Sequence, residues 1–130
     1  MSSDRFPRIA AFMLTGAVLV LGASTQPAQA THSADRWAVV NQNGTLARGK
    51  GAVSSGYAFA GVLGSYRVVF NKDVSKCAYQ ATLGTEYPST PASGEIAVAP
   101  DAANVRAVHV ATRTSAGVAT NRPFHLFVSC

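Results

Sequence analysis

Residues 37–48 read Trp37-Ala38-Val39-Val40-Asn41-Gln42-Asn43-Gly44-Thr45-Leu46-Ala47-Arg48. An apolar, β-branched run meets Asn43-Gly44, and a second short run returns. Both residues of that pair accept positive φ, which the tight turns of β-hairpins demand, so the spacing predicts a hairpin opening an all-β domain. Nothing after Thr31 repeats apolar residues at helical spacing.

The same logic carries along the chain. Tyr66, Val68 and Phe70 alternate onto one face of a second strand, and Asn71-Lys72-Asp73 turns into Cys77-Ala78-Tyr79-Gln80-Ala81-Thr82-Leu83, whose odd-numbered residues share a face. Residues 95–99 and 105–113 read as strands. In 124–130, Phe124, Leu126 and Val128 face one way and His125, Phe127 and Ser129 the other. Residues 49–64 hold Gly49, Gly51, Gly56, Gly61 and Gly64 and give no regular assignment, with Ser54-Ser55-Gly56 read as loop. Residues 84–94 contain Pro88 and Pro91 and predict a surface loop, because proline has no amide to donate to a ladder. About seven strands at these spacings predict a small antiparallel β-sandwich or jelly roll over 37–130.

The N-terminus reads differently. Arg5 and Arg8 precede an apolar stretch over 9–22, and small residues end at Ala28-Gln29-Ala30. This is the pattern of a cleavable signal peptide over 1–30, too short to span a bilayer, followed by a flexible stretch over 31–36. Cleavage after Ala30 removes Asp4, Arg5 and Arg8 and leaves nine cations against five carboxylates. The expected product is secreted, extracellular and free of the membrane. In that oxidising compartment Cys77 and Cys130, the only two cysteines, predict one disulfide.

Several of these stretches resemble small exported proteins of high-GC actinobacteria that carry a single β-domain, and also segments of phage-tail-like surface proteins. The resemblance rests on Trp37-Ala38-Val39-Val40-Asn41 with Gly44-Thr45-Leu46, Tyr66-Arg67-Val68-Val69-Phe70-Asn71-Lys72-Asp73-Val74, Cys77-Ala78-Tyr79, and Arg122-Pro123-Phe124-His125-Leu126 with Cys130. It implies an exported β-domain and brings no catalytic residue with it.

Motifs for chemistry are thin. Residues 44–51 match G-x-x-x-x-G-K, but Gly51 stands where a phosphate-binding loop needs a Ser or Thr to ligate Mg²⁺, and no helix follows. His109 and His125 each sit between apolar neighbours, so both predict outward-facing positions. A metal set of these two with Asp73, Glu95 or Asp101 requires their strands to be neighbours. No serine lies in a G-x-S-x-G elbow. The cations are spread one or two per element, as on an ordinary solvated face, and suit weak attraction to anionic cell-wall polymers better than a nucleic-acid groove. No cofactor, metal, catalytic residue or specific nucleic acid is expected.

The sequence therefore reads as a secreted, non-enzymatic β-sandwich that binds an extracellular protein or glycan, with homo-oligomers open to it. Its expected contact surface is the loop over 84–94, with Glu86, Tyr87 and Pro88 at its centre, since proline lowers the entropy of holding Tyr87 in place. A protease inhibitor using that loop and a small extracellular hydrolase are the alternatives.

Overall fold

A computed structural model describes residues 35–130, together with residues 16, 17, 22 and 23. The expected signal peptide and residues 31–34 otherwise lie outside the described residues. Eight strands follow in order: β1 (Arg36–Val40), β2 (Leu46–Lys50), β3 (Ala52–Tyr57), β4 (Ser65–Phe70), β5 (Ala78–Leu83), β6 (Glu95–Pro100), β7 (Ala107–Arg113) and β8 (Phe124–Ser129). All pairings are antiparallel. They form two four-stranded sheets, β2-β1-β8-β5 and β3-β4-β7-β6, packed as a sandwich.

Period-two alternation explains the packing. The central strands of both sheets turn one row inward: Ala38 and Val40 from β1, Phe124, Leu126 and Val128 from β8, Tyr66, Val68 and Phe70 from β4, Val108 and Val110 from β7. Each of these is essentially fully buried. Burying one aliphatic or aromatic side chain larger than alanine stabilises by about 1.5–3 kcal/mol, so this inward row is a major part of the drive to fold. Tyr66 packs edge-on against Phe124 with ring centroids 5.2 Å apart, joining the two sheets at one end of the core.

The opening hairpin is present, with its turn centred one residue ahead of the Asn43-Gly44 pair. The Gly44 amide donates to the Asn41 carbonyl, and the Asn41 amide donates to Thr45. Gln42 and Asn43 therefore form the turn, and only Gly44 (φ 85°) takes positive φ. A side chain at Gly44 would also meet the Gly56 backbone at 3.1 Å, so close approach of the turn to β3 reinforces the choice.

The stretch without a sequence assignment contains β3, and Ser54-Ser55-Gly56, expected as loop, lies inside it. Two polar residues and a glycine suffice there because β3 is an edge strand, laddered on one side only, to β4. Ser55 Oγ also donates to the Gly44 carbonyl at 2.6 Å. β1 begins at Arg36, whose side chain is buried and whose Nε donates to Asn71 Oδ1, so the first strand includes one residue ahead of position 37.

The strand order leaves the loops sorted by end. Residues 41–45, 58–64, 84–94 and 114–123 gather at one end, because Val40 and Leu83 both pair with Phe124 while Ser65 and Glu95 pair with the last residues of β7. At the other end, a disulfide joins Cys77 to Cys130, with Cα atoms 4.5 Å apart, beside the Ala78–Ser129 pair that closes the β5–β8 ladder.

Candidate functional site

The loop-rich end is tied together by long-range hydrogen bonds. Tyr66 is fully buried, yet its hydroxyl reaches out of the core to donate to the Gln42 carbonyl at 2.7 Å, anchoring the β1–β2 turn. Burial, with a smaller contribution from Tyr57, pushes the Tyr66 pKa up to about 12. Asn121 donates to Tyr57 Oη from its side-chain amide and accepts the Gly64 amide at 2.7 Å, so it links the β7–β8 and β3–β4 connections. Gly64 (φ 65°) has no alternative: a Cβ there would overlap the Thr112 carbonyl oxygen.

The loop over 84–94 is held at its root. His125 Nε2 lies 2.9 Å from the Thr85 carbonyl oxygen, which requires the proton on that nitrogen. Arg48 donates to the Glu86 carbonyl at 3.0 Å, and Thr85 Oγ1 to the Tyr87 carbonyl at 2.6 Å. Three successive carbonyls are thus engaged within the domain. Beyond them residues 87–93 are exposed.

Between this loop and the β1–β2 turn lies a cleft of about 470 Å³, within the size range of small-ligand sites. Asn41, Gln42 and Asn43 form one wall, Glu86 and Tyr87 the other, and Arg122 stands among the lining residues. Arg122 Nε is buried and has no hydrogen-bond partner among the described residues. Such an orphaned donor is rare in folded proteins. The arrangement offers amides, hydroxyls, a guanidinium, a carboxylate and a phenol 61% exposed, a set suited to holding a polar ligand.

Of the residues singled out in the sequence, Glu86 and Tyr87 line this cleft, and Pro88 lies outside its lining on the exposed loop. Arg122, Gln42 and Asn43 were not singled out as site residues. The only sequence signal available for them was that turn residues sit at sheet ends.

The structure also separates the other candidates. His109 lies on β7 and His125 on β8, in different sheets and on faces turned away from the core, so they do not share a metal site with Asp73, Glu95 or Asp101. Among the described residues no group of three or more metal-ligating side chains is gathered. Ser65 Oγ comes to 3.5 Å from His109 Nε2, the outer limit of a hydrogen bond. Asp101 does not complete a triad: its carboxylate accepts Arg67 Nε at 2.7 Å and the Ala103 amide. Burial raises the Asp101 pKa, but these donors and the Arg67 charge outweigh it and hold the carboxyl below its ordinary range. The G-x-x-x-x-G-K match spans the turn, β2 and Gly51.

Comparison with protein-family models, curated proteins and solved structures gives no match for this chain.

Proposed function

We propose that this chain is an extracellular, non-enzymatic binding module that takes its ligand, a protein or a glycan, at the loop-rich end of the sandwich. The observation that carries this reading is the polar cleft between residues 41–43 and 85–87, with the exposed Tyr87 and with Arg122 among its lining residues. The amides, hydroxyls and guanidinium lining the cleft would donate to a polar ligand, and Tyr87 would supply a rigid aromatic contact at low entropic cost. The disulfide is consistent with an oxidising compartment. The N-terminal export pattern and the resemblance to small exported actinobacterial proteins agree with secretion.

The geometry favours this over protease inhibition. An inhibitory loop must offer uncommitted backbone to the protease, whereas the carbonyls of Thr85, Glu86 and Tyr87 are already engaged, so only residues 88–93 would be left to that role. The test is to probe arrays of defined oligosaccharides and of peptides with the oxidised protein and with a Tyr87→Ala, Arg122→Gln double variant. Ligands retained by the wild type and lost by the variant support the reading. Ligands held equally by both overturn its placement at this end.

A further inference from the structure

The outward face of the β2-β1-β8-β5 sheet carries a second, chemically different surface. A shallow trough of about 680 Å³ runs across the strands, lined by Trp37 and Val39 from β1, His125 and Phe127 from β8, and Gln80 and Thr82 from β5. The register orders these groups into two transverse rows. Lys50, Trp37, Phe127 and Gln80 stand side by side in one, and Arg48, Val39, His125 and Thr82 in the next. Directly opposed residues have Cβ atoms about 5 Å apart, so each row is a line of neighbouring side chains, of which Val39 is buried.

Two aromatic rings on this strip serve no packing role in the core, which closes beneath them with Ala38, Leu126 and Val128. Phe127 is 39% exposed and Trp37 half-buried. Two aromatic side chains at opposed positions, flanked by an amide, a hydroxyl and an imidazole, suit a sugar ring, whose C–H face packs on a π surface while its hydroxyls need hydrogen-bond partners at the edge. The charge distribution narrows the class. Both flanking residues on the β2 side are cations, Arg48 and Lys50, and neither row contains an acidic side chain. Arg48 spends one donor on the Glu86 carbonyl, leaving further guanidinium N–H groups for a ligand.

We infer that this trough binds an acidic polysaccharide, with consecutive sugar rings stacked on Trp37 and Phe127 and their carboxylates drawn to Lys50 and Arg48. The inference goes beyond the loop-end cleft and uses none of its lining residues.

Trp37 is the only tryptophan in the chain, so its fluorescence reports this surface directly. The full oxidised chain is titrated with oligogalacturonate, which carries a carboxylate on every ring, and with uncharged dextran oligomers. A saturable fluorescence change is expected with oligogalacturonate alone, weakening as salt rises. Lys50→Gln, at an exposed position, should weaken it several-fold, and Phe127→Ser about tenfold, a loss equivalent to about 1.4 kcal/mol of ring stacking. Trp37→Phe should retain binding by calorimetry, and Tyr87→Ala should leave it unchanged. No saturable response to oligogalacturonate, or an equal response to dextran, overturns the inference. So does a fluorescence change that follows protein concentration alone with a doubled solution mass, which would assign the face to a second copy. A negative result here with loop-end binding intact leaves the proposed function standing.

Discussion

Raising the pH from 10 to 12 should remove a defined share of this protein's stability through one residue, Tyr66. Its ring is fully buried between the sheets, and its hydroxyl holds the Gln42 carbonyl at 2.7 Å. Burial raises its pKa from 10.0 to about 12, so the fold keeps the proton that the unfolded chain gives up near pH 10. The folded state then binds more protons than the unfolded one, and stability falls with rising pH across this window. The contribution is fully present below pH 10, and the loss reaches about 1.4 kcal/mol by pH 11 and on the order of 2 to 3 kcal/mol once pH passes the folded pKa. Tyr66→Phe removes the titration at the cost of the hydrogen bond, about 1 kcal/mol at neutral pH. Urea unfolding of both proteins from pH 7 to 11.5 makes the comparison. The variant should start lower and fall less steeply above pH 10, keeping only the smaller slope contributed by Tyr79, whose pKa is raised by burial and by Asp73. Parallel curves for the two proteins would refute the argument that the folded core holds the Tyr66 proton.

Four further outcomes are expected. Replacing Cys77 and Cys130 together by Ala should lower the unfolding free energy by up to about 4 kcal/mol, the chain-entropy value for a separation of 53 residues, read as a shift in the urea midpoint. Asp101→Asn should cost about 1–2 kcal/mol, because the Arg67 guanidinium loses the charge of its 2.7 Å partner. The wild type should also lose this contribution as pH falls through the depressed Asp101 pKa, and the variant should not, in an acid titration followed by circular dichroism. Gly64→Ala should destabilise by more than about 2 kcal/mol, since it adds left-handed strain to an overlap with the Thr112 carbonyl. Tyr87→Ala, at a position 61% exposed, should stay within about 0.5 kcal/mol of the wild type in stability, which makes it a clean probe of binding.

The parts of the fold legible in the sequence are those where one face is apolar. Tyr66, Val68 and Phe70 on β4, and Phe124, Leu126 and Val128 on β8, announce their strands because period-two burial leaves a period-two sequence. β3 is silent for the opposite reason: no residue of Ala52–Tyr57 is buried, and its ladder to β4 is a backbone interaction that Ser54, Ser55 and Gly56 do not advertise. The turn at residues 41–45 shows a related limit. Asn43-Gly44 signals a hairpin, but the close approach of Gly56 from another strand to Gly44 is not written in the local sequence.

The site divides the same way. Tyr87 is visible because Pro88 and Pro91 mark its loop locally. Arg122 and Gln42 are not, because their place in the cleft depends on contacts such as Tyr66 with Gln42 and Gly64 with Asn121, made between residues 24 and 57 positions apart. The trough on the outer sheet face was half legible. Alternation put His125 and Phe127 on the outward side of β8, while their pairing with Trp37 and Lys50 needed the β1–β8 and β1–β2 registers.

The most direct test of a ligand site at the loop-rich end is to map amide chemical shifts of the oxidised protein with an oligosaccharide or peptide that it retains from the arrays. The account predicts shifts concentrated at residues 41–43, 85–92 and 121–123, and loss of binding in Tyr87→Ala. Shifts that leave these residues untouched, with Tyr87→Ala binding as tightly as the wild type, would contradict it.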